Sequence, residues 1–231
     1  MLVTGANRGI GLEWTRQCLG RGFRIFATCR NPSAADSLSL LAKDFPDQLE
    51  VHPLDVTNES SVKGLFDALT QRREAIDFLF NNAGVIDWDD LNSVSASSVE
   101  KVYRVNLLGA LLVLRAALPS LRLASRPVVI NVSSRLGSIE LRGDTQLGGA
   151  IAYQCSKAAL NMLTKQASID LAPFGVTVTS VSPGWVRTDM GGKEAKYSVE
   201  ESVGSMLRHL ENAGPDLNGK FIGEDGNEIP W

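Results

Sequence analysis

The chain has few of the residues that build a site or a scaffold by themselves. Its three cysteines, Cys18, Cys29 and Cys155, are odd in number and form no C-x-x-C pair, which argues against a disulfide framework. His52 and His209 lie far apart without ligand-like spacing, so no metal centre is expected. Positive charge is not in excess: 23 Lys and Arg against 26 Asp and Glu leave a net charge of −3. That balance gives no electrostatic footing for a nucleic acid or an anionic membrane. The longest apolar stretch, residues 107–121, is broken by Arg115 and Pro119 and falls short of the roughly 20 residues a bilayer crossing needs. No basic segment followed by an apolar one opens the sequence, and a reducing cytoplasm is the expected compartment. Internal repeats, low-complexity tracts and Gly/Pro/Ser-rich linkers are also missing, so 231 residues with 44% hydrophobic content are expected to close around one core.

What is present is alternation. Short β-branched runs at residues 23–28, 49–52, 76–80, 127–132 and 176–181 read as buried strands. Amphipathic stretches at 10–21, 32–43, 59–71, 98–123, 150–171 and 198–212 read as helices. Asn31 before Pro32 and Asn58 before Glu59 are helix-start signals. Strand-helix-strand repetition requires a parallel sheet covered on both faces, an α/β, single-domain, Rossmann-type doubly wound fold. The first strand is short for a central one, because only Met1 to Val3 precede the Thr4-Gly5 turn.

Thr4-Gly5-Ala6-Asn7-Arg8-Gly9-Ile10-Gly11 joins that strand to the first helix. Gly5 permits the tight turn, Gly9 lets backbone approach a pyrophosphate, and Gly11 lets the helix close on the sheet. A glycine triplet alone also occurs in surface turns; its place at a strand-to-helix junction is what gives it weight. The second strand ends Ala27-Thr28-Cys29-Arg30-Asn31 and offers no Asp or Glu to a ribose diol. Arg30 and Arg8 can instead flank a 2′-phosphate, so NADP(H) is expected over NAD(H). The alternative is that both arginines are solvated surface charges.

Further motifs follow in order: Asn81-Asn82-Ala83-Gly84, Val105-Asn106-Leu107-Leu108-Gly109, Val132-Ser133-Ser134, Tyr153-Gln154-Cys155-Ser156-Lys157, and Pro183-Gly184-Trp185-Val186-Arg187-Thr188-Asp189. With them the sequence resembles the short-chain dehydrogenase/reductase superfamily over nearly its whole length. Cys29-Arg30-Asn31, the short loop after Asp189 and Ile229-Pro230-Trp231 resemble its C-factor and sniffer-like carbonyl reductases. The resemblance implies a sheet of about seven strands. It also implies a cofactor-binding half at about 1–110 and a catalytic, substrate-binding half at about 111–231. The implied reaction is hydride transfer between NADP(H) and an aldehyde or ketone, reversible as an alcohol dehydrogenase. Asp55 and Val56 would meet the adenine; Asn82, Ala83 and Gly84 the adenosine ribose side; Pro183, Gly184, Val186 and Thr188 the nicotinamide carboxamide. Lys157 would hold the nicotinamide ribose, and Asn106 would anchor a water relaying protons to Lys157. A homodimer or homotetramer is implied as well. One departure is the long interval from Ser134 to Tyr153, whose Gly-rich segment 143–149 is expected to loop beside the active site and shape substrate access.

The residues themselves support that chemistry. Tyr153 and Lys157 are four apart, hence on one face of a helix. A phenol with a pKa near 10 is a poor acid-base catalyst at neutral pH, and the Lys157 ammonium is expected to bring it down. Ser134, after an apolar strand, can hydrogen-bond a substrate oxygen; Ser133 is the adjacent competitor, and a turn-capping serine is the plainer reading. Asn106, in an apolar helix, needs its hydrogen bonds met and is read either as catalytic or as a satisfied structural amide. Cys155 lies on another face from Tyr153 and is expected to be a small packing residue. A second functional reading stays open, a nucleotide-bound signalling or interaction protein of the C-factor type with incidental turnover.

Overall fold

The computed structural model describes residues 1–143, 149–211 and 213–231. Among them the strands are β1 Leu2–Thr4, β2 Ile25–Cys29, β3 Leu49–Pro53, β4 Phe78–Asn81, β5 Val128–Val132, β6 Thr177–Val181 and β7 Phe221–Ile222. They form one sheet in the order β3-β2-β1-β4-β5-β6-β7, every pairing parallel. The order reverses between β1 and β4, which opens a crevice at their carboxyl ends, where doubly wound sheets take ligands. The main helices are α1 Gly9–Leu19, α2 Asp36–Asp44, α3 Glu59–Gln71, α4 Ala96–Tyr103, α5 Ala110–Leu121, α6 Ile151–Leu171 and α7 Val199–Leu210.

Strand side chains alternate between two apolar layers, as the period of two dictates. Val3, Phe80, Val128 and Ile130 face one core with Trp14 and Cys18 of α1 and Met206 and Leu207 of α7. Leu2, Leu79, Val129 and Val178 face the other with Leu65 and Leu69 of α3, Val113 and Leu114 of α5, and Ala167 of α6. The three-residue β1 is wholly buried and pairs on both sides, with β2 and β4.

Three expectations are corrected in detail. The stretch at 32–43 begins as a 3-10 turn, Pro32–Ala34, and Asn31 caps no helix amide; its Oδ1 accepts from Ser33 Oγ at 2.7 Å instead. The stretch at 98–123 is not a uniform α-helix, because Arg104–Gly109 takes the wider π form between α4 and α5. Ala96–Leu121 as a whole is also long and apolar enough to cross a membrane by composition, which the interrupted run at 107–121 did not suggest. Here Val102, Val113, Ala117 and Leu121 of this helix are fully buried within the protein.

Candidate functional site

At the carboxyl end of β1 the chain turns over glycines in the left-handed region, Gly5 at φ +66° and Gly9 at φ +52°. A side chain on Gly11 would put its Cβ 2.3 Å from the Gly5 carbonyl oxygen, so only glycine lets α1 start this close to the strand. The turn is braced from just past β4. Thr4 Oγ1 accepts from the amides of Asn82 and Ala83, both at 3.0 Å, while Asn82 Nδ2 donates to the carbonyls of Thr4 at 2.9 Å and Gly5 at 3.2 Å. The Asn82 side chain therefore holds the turn itself. α1 has neither a side-chain cap nor an acidic residue in its first turn, which leaves amides at its N-terminus for an anion. Ile10 and Gly11 stand in that first turn and Asn7 in the loop before it.

Arg8, placed by sequence at the 2′-phosphate, meets Asp189 at 2.6 Å with both side chains largely exposed. An exposed pair is worth little, so an anion can redirect this arginine at small cost. Arg30 is exposed at the end of β2, and its charge reaches Asp55, whose carboxyl is held below the usual range chiefly by hydrogen bonds from Thr57. Val56 is buried against Gly109, whose added Cβ would lie 2.7 Å from Val56 Cγ2.

The catalytic candidates converge on the amino half of α6. Tyr153 and Lys157 are buried together, with Lys157 Nζ 5.6 Å from the centre of the Tyr153 ring and donating to the Val132 carbonyl at 2.6 Å. Ser134, just past β5, accepts from the Leu136 amide at 3.1 Å, and its hydroxyl lies near enough to the Tyr153 phenol to lower the phenol's pKa. It is thus a turn cap and a neighbour of the tyrosine at once. Ser133 points elsewhere, its Oγ 3.5 Å from the Lys157 carbonyl. Asn106 sits in the π segment and its side chain is fully engaged: Oδ1 accepts from the Val85 amide at 2.8 Å, and Nδ2 donates to the Val85 carbonyl and Ser156 Oγ, both at 2.9 Å. Gly84 lies beside both groups, since a Cβ there would stand 3.5 Å from Asn106 Oδ1 and 3.7 Å from Lys157 Nζ.

The electrostatics depart from expectation. Burial pushes the Tyr153 phenol up to about 12, offset in part by the Ser134 hydroxyl, and burial pushes the Lys157 amine down to about 8. In the protein's own field, desolvation of both groups outweighs any lowering of the phenol by the ammonium. Cys155 is also corrected: it is exposed, not packed.

After β6, Pro183 accepts from Ser202 Oγ at 2.7 Å through its carbonyl, and Gly184 turns at φ +76° where a Cβ would meet the Tyr197 ring at 2.9 Å. Val186 is buried, and Thr188 Oγ1 accepts from the Gly191 amide at 3.1 Å. Thr188 reaches back to the phosphate turn, 3.5 Å from where a Gly9 Cβ would be. Of the Gly-rich segment 143–149, residues 144–148 lie outside the described residues. Among the described residues no group of three His, Cys, Asp or Glu side chains could hold a metal ion.

Two residues of the site escaped sequence reasoning. Thr4 holds the Asn82 and Ala83 amides just past β4, and Gly137 lies flat on α6, where a Cβ would come within 2.7 Å of Lys157 Cβ. The glycine three places after Ser134 was the available signal for the latter.

Comparison with known proteins places the fold in a family. The family described as short chain dehydrogenase matches residues 1–198. The C-signal protein of Myxococcus xanthus is 42% identical over 157 residues, covering 68% of this chain and 93% of that protein. The structure of an NADPH-bound carbonyl reductase from chicken fatty liver superposes with a TM-score of 0.94 at 37% identity, over 100% of this chain and 98% of the other. The carbonyl reductase Sniffer of D. melanogaster does so with a TM-score of 0.94 at 33% identity, again over 100% and 98%. A doubly wound parallel sheet, a glycine turn at its switch point, and a buried Tyr153 and Lys157 beside Ser134 thus belong to a member of the short-chain dehydrogenase family of oxidoreductases.

Proposed function

We propose that this chain is an NADPH-dependent carbonyl reductase, reversible as an alcohol dehydrogenase, acting on an aldehyde or ketone. The observation that carries the proposal is the convergence of the buried Tyr153 and Lys157 with the half-buried Ser134 at the carboxyl end of β5. The residues fit a dinucleotide: the turn has room only for glycine, and α1 offers uncapped amides. The cofactor, when bound, supplies the hydride. The pyrophosphate falls to Gly5, Asn7, Gly9, Ile10 and Gly11, the 2′-phosphate to Arg8 and Arg30, the adenine to Asp55 and Val56. The ribose and nicotinamide sides fall to Asn82, Ala83, Gly84, Pro183, Gly184, Val186 and Thr188. The likeness to the NADPH-bound reductase supports this choice of cofactor.

Tyr153 gives its phenolic proton to the substrate oxygen as the carbonyl carbon takes the hydride, and solvent returns that proton. Ser134, beside the phenol, turns its hydroxyl to the same oxygen. Lys157, 4% exposed, keeps its charge next to the developing phenolate. Asn106 braces Val85 and Ser156 around them. The half at about 1–110 then carries most of the cofactor contacts, and the half at about 111–231 carries Ser134, Tyr153 and Lys157 together with the 183–188 wall of the nicotinamide side. Leu108, Met162 and Ile169, exposed at 38%, 69% and 60%, give the long helix and α6 an apolar face suited to a homodimer or homotetramer. Free thiols at Cys18, Cys29 and Cys155 suit the cytoplasm.

The test is NADPH consumption over a panel of aldehydes, ketones and quinones, with NADH in parallel and Tyr153→Phe as control. Tyr153→Phe is expected to lower kcat by about 10²–10⁴-fold at unchanged NADPH affinity. The likeness to C-signal favours a second reading, a nucleotide-bound signalling or interaction protein. If no member of the panel turns over while NADPH still binds, that second reading replaces the first.

A further inference from the structure

Residues 221–231 fold back toward the segment that carries Ser134. After β7 the chain reverses at Gly226, and Glu228 pairs antiparallel with Ile222. The Ile229 amide donates to the Phe221 carbonyl at 2.7 Å. Ile229 is buried, and the Trp231 ring stacks on Phe221 with centroids 5.7 Å apart and planes 23° apart. The tail then reaches residues 138–140. Ser138 Oγ, itself buried, donates to the Pro230 carbonyl at 2.6 Å, and the Ile139 amide donates to the Trp231 oxygen at 2.5 Å. Closer to Ser134, the Arg135 guanidinium meets Glu224 at 3.1 Å.

The other side of the same segment touches the catalytic pair. Leu136 packs in the apolar cluster that contains Tyr153, Gly137 lies on Lys157, and the Ser134 hydroxyl stands beside the Tyr153 phenol. Asn161 Nδ2 donates to the Gly137 carbonyl at 3.3 Å. Residues 135–137 are one 3-10 turn, a geometry with poor hydrogen bonds of its own that relies on outside contacts. α6 supplies those contacts on one side and the tail supplies them on the other.

We propose that residues 229–231, acting through Ser138 and Ile139, are a positioning strap that sets where the Ser134 hydroxyl and Leu136 stand against Tyr153, and so how the substrate oxygen is received. The proposal rests on the catalytic reading of Ser134 and Tyr153. The phosphate turn is braced from Asn82, not by the tail, so the strap acts chiefly on how the carbonyl substrate is received rather than on how the dinucleotide is held. A catalytic group misplaced by about 1 Å costs up to about 100-fold in rate.

The experiment compares Ser138→Ala, Trp231→Ala and a chain ending at Glu228 with the parent. Each is assayed with NADPH and para-nitrobenzaldehyde, or another panel member that turns over. In the variants that stay folded, kcat/KM for the aldehyde is expected to fall about 10- to 100-fold while the NADPH Kd, read by fluorescence, stays within about twofold. Ser138→Thr, which keeps the hydroxyl that donates to the Pro230 carbonyl, restores the rate. Folded Ser138→Ala and Trp231→Ala with parental kcat/KM would overturn the strap, and so would a loss of NADPH affinity in step with activity. Tyr153→Phe separates the two ideas: if it remains active the catalytic reading fails, whereas an inactive Tyr153→Phe beside undisturbed strap variants removes the strap alone.

Discussion

Tyr153 keeps its proton to higher pH than an exposed phenol, to about 12, while Lys157 sheds its own nearer 8. Carbonyl reduction needs the phenol protonated and the amine charged, so Lys157 sets the upper limit. The kcat/KM for reduction is expected to be flat near neutrality and to fall about tenfold per unit above about pH 8. Lys157→Met should be slower and lose that limb; a limb that survived the substitution would belong to another group. At the cofactor, Arg30→Asp is expected to weaken NADPH by about 10- to 100-fold, the worth of a charge-assisted phosphate contact, and to spare NADH. Equal losses for the two nucleotides would remove Arg30 from the 2′-phosphate. Tyr153 and Lys157 were legible because the glycine turn, Asn106 and Ser134 precede them in order; the four-residue spacing fixes only their shared face. Their titration was not legible, since desolvation depends on what tertiary packing lays over them. Ser138 was invisible for a related reason: its partner Pro230 is 92 positions away and leaves no local pattern.

The helix α3 ends in a way that can be improved. Its Arg73 is exposed and held at φ +55°, and the Glu74 amide closes the end by donating to the Leu69 carbonyl at 3.0 Å. This is the position after a helix where glycine is preferred, so Arg73→Gly is expected to stabilise the fold by about 1 kcal/mol. The check is a rise of roughly 2–4 °C in Tm by calorimetry. α3 itself matched its expected span from Glu59 to Gln71, because an Asn58 cap whose side chain accepts from the Ser61 amide and an apolar stripe agree on the same limits. The seventh strand left no such pattern, since Phe221–Ile222 is two residues long and takes its conformation from β6. The π turn at Arg104–Gly109 was equally silent. One extra residue per turn barely disturbs the apolar rhythm, and it is Gly109 pressed on Val56 that marks the place.

At the scale of the whole molecule, the carboxylate of Glu50 on β3 ties three elements together, meeting Arg72 at 2.7 Å and Arg24 at 2.6 Å. The Arg72 guanidinium, with Arg24, holds its pKa at about 2 against an ordinary 4.5. A lowered carboxylate stabilises the fold above pH 4.5, and that stability is lost as pH falls through about 2. Partly screened by solvent, it is worth about 1 kcal/mol. Urea midpoints are expected to drop between pH 5 and pH 2, and by less in Glu50→Gln; an equal drop in both would place the acid sensitivity elsewhere. The same scale governs how the cofactor site comes together. Gly9 lies against Thr188 and Arg8 reaches Asp189, so the turn made first in the chain is completed by a loop made near its end. During synthesis β1, β2 and β4 all leave the ribosome before those wall residues do. A nucleotide that stabilises only the finished site can therefore protect the folded protein from unfolding, but it gives no support to the early half while that half is still alone.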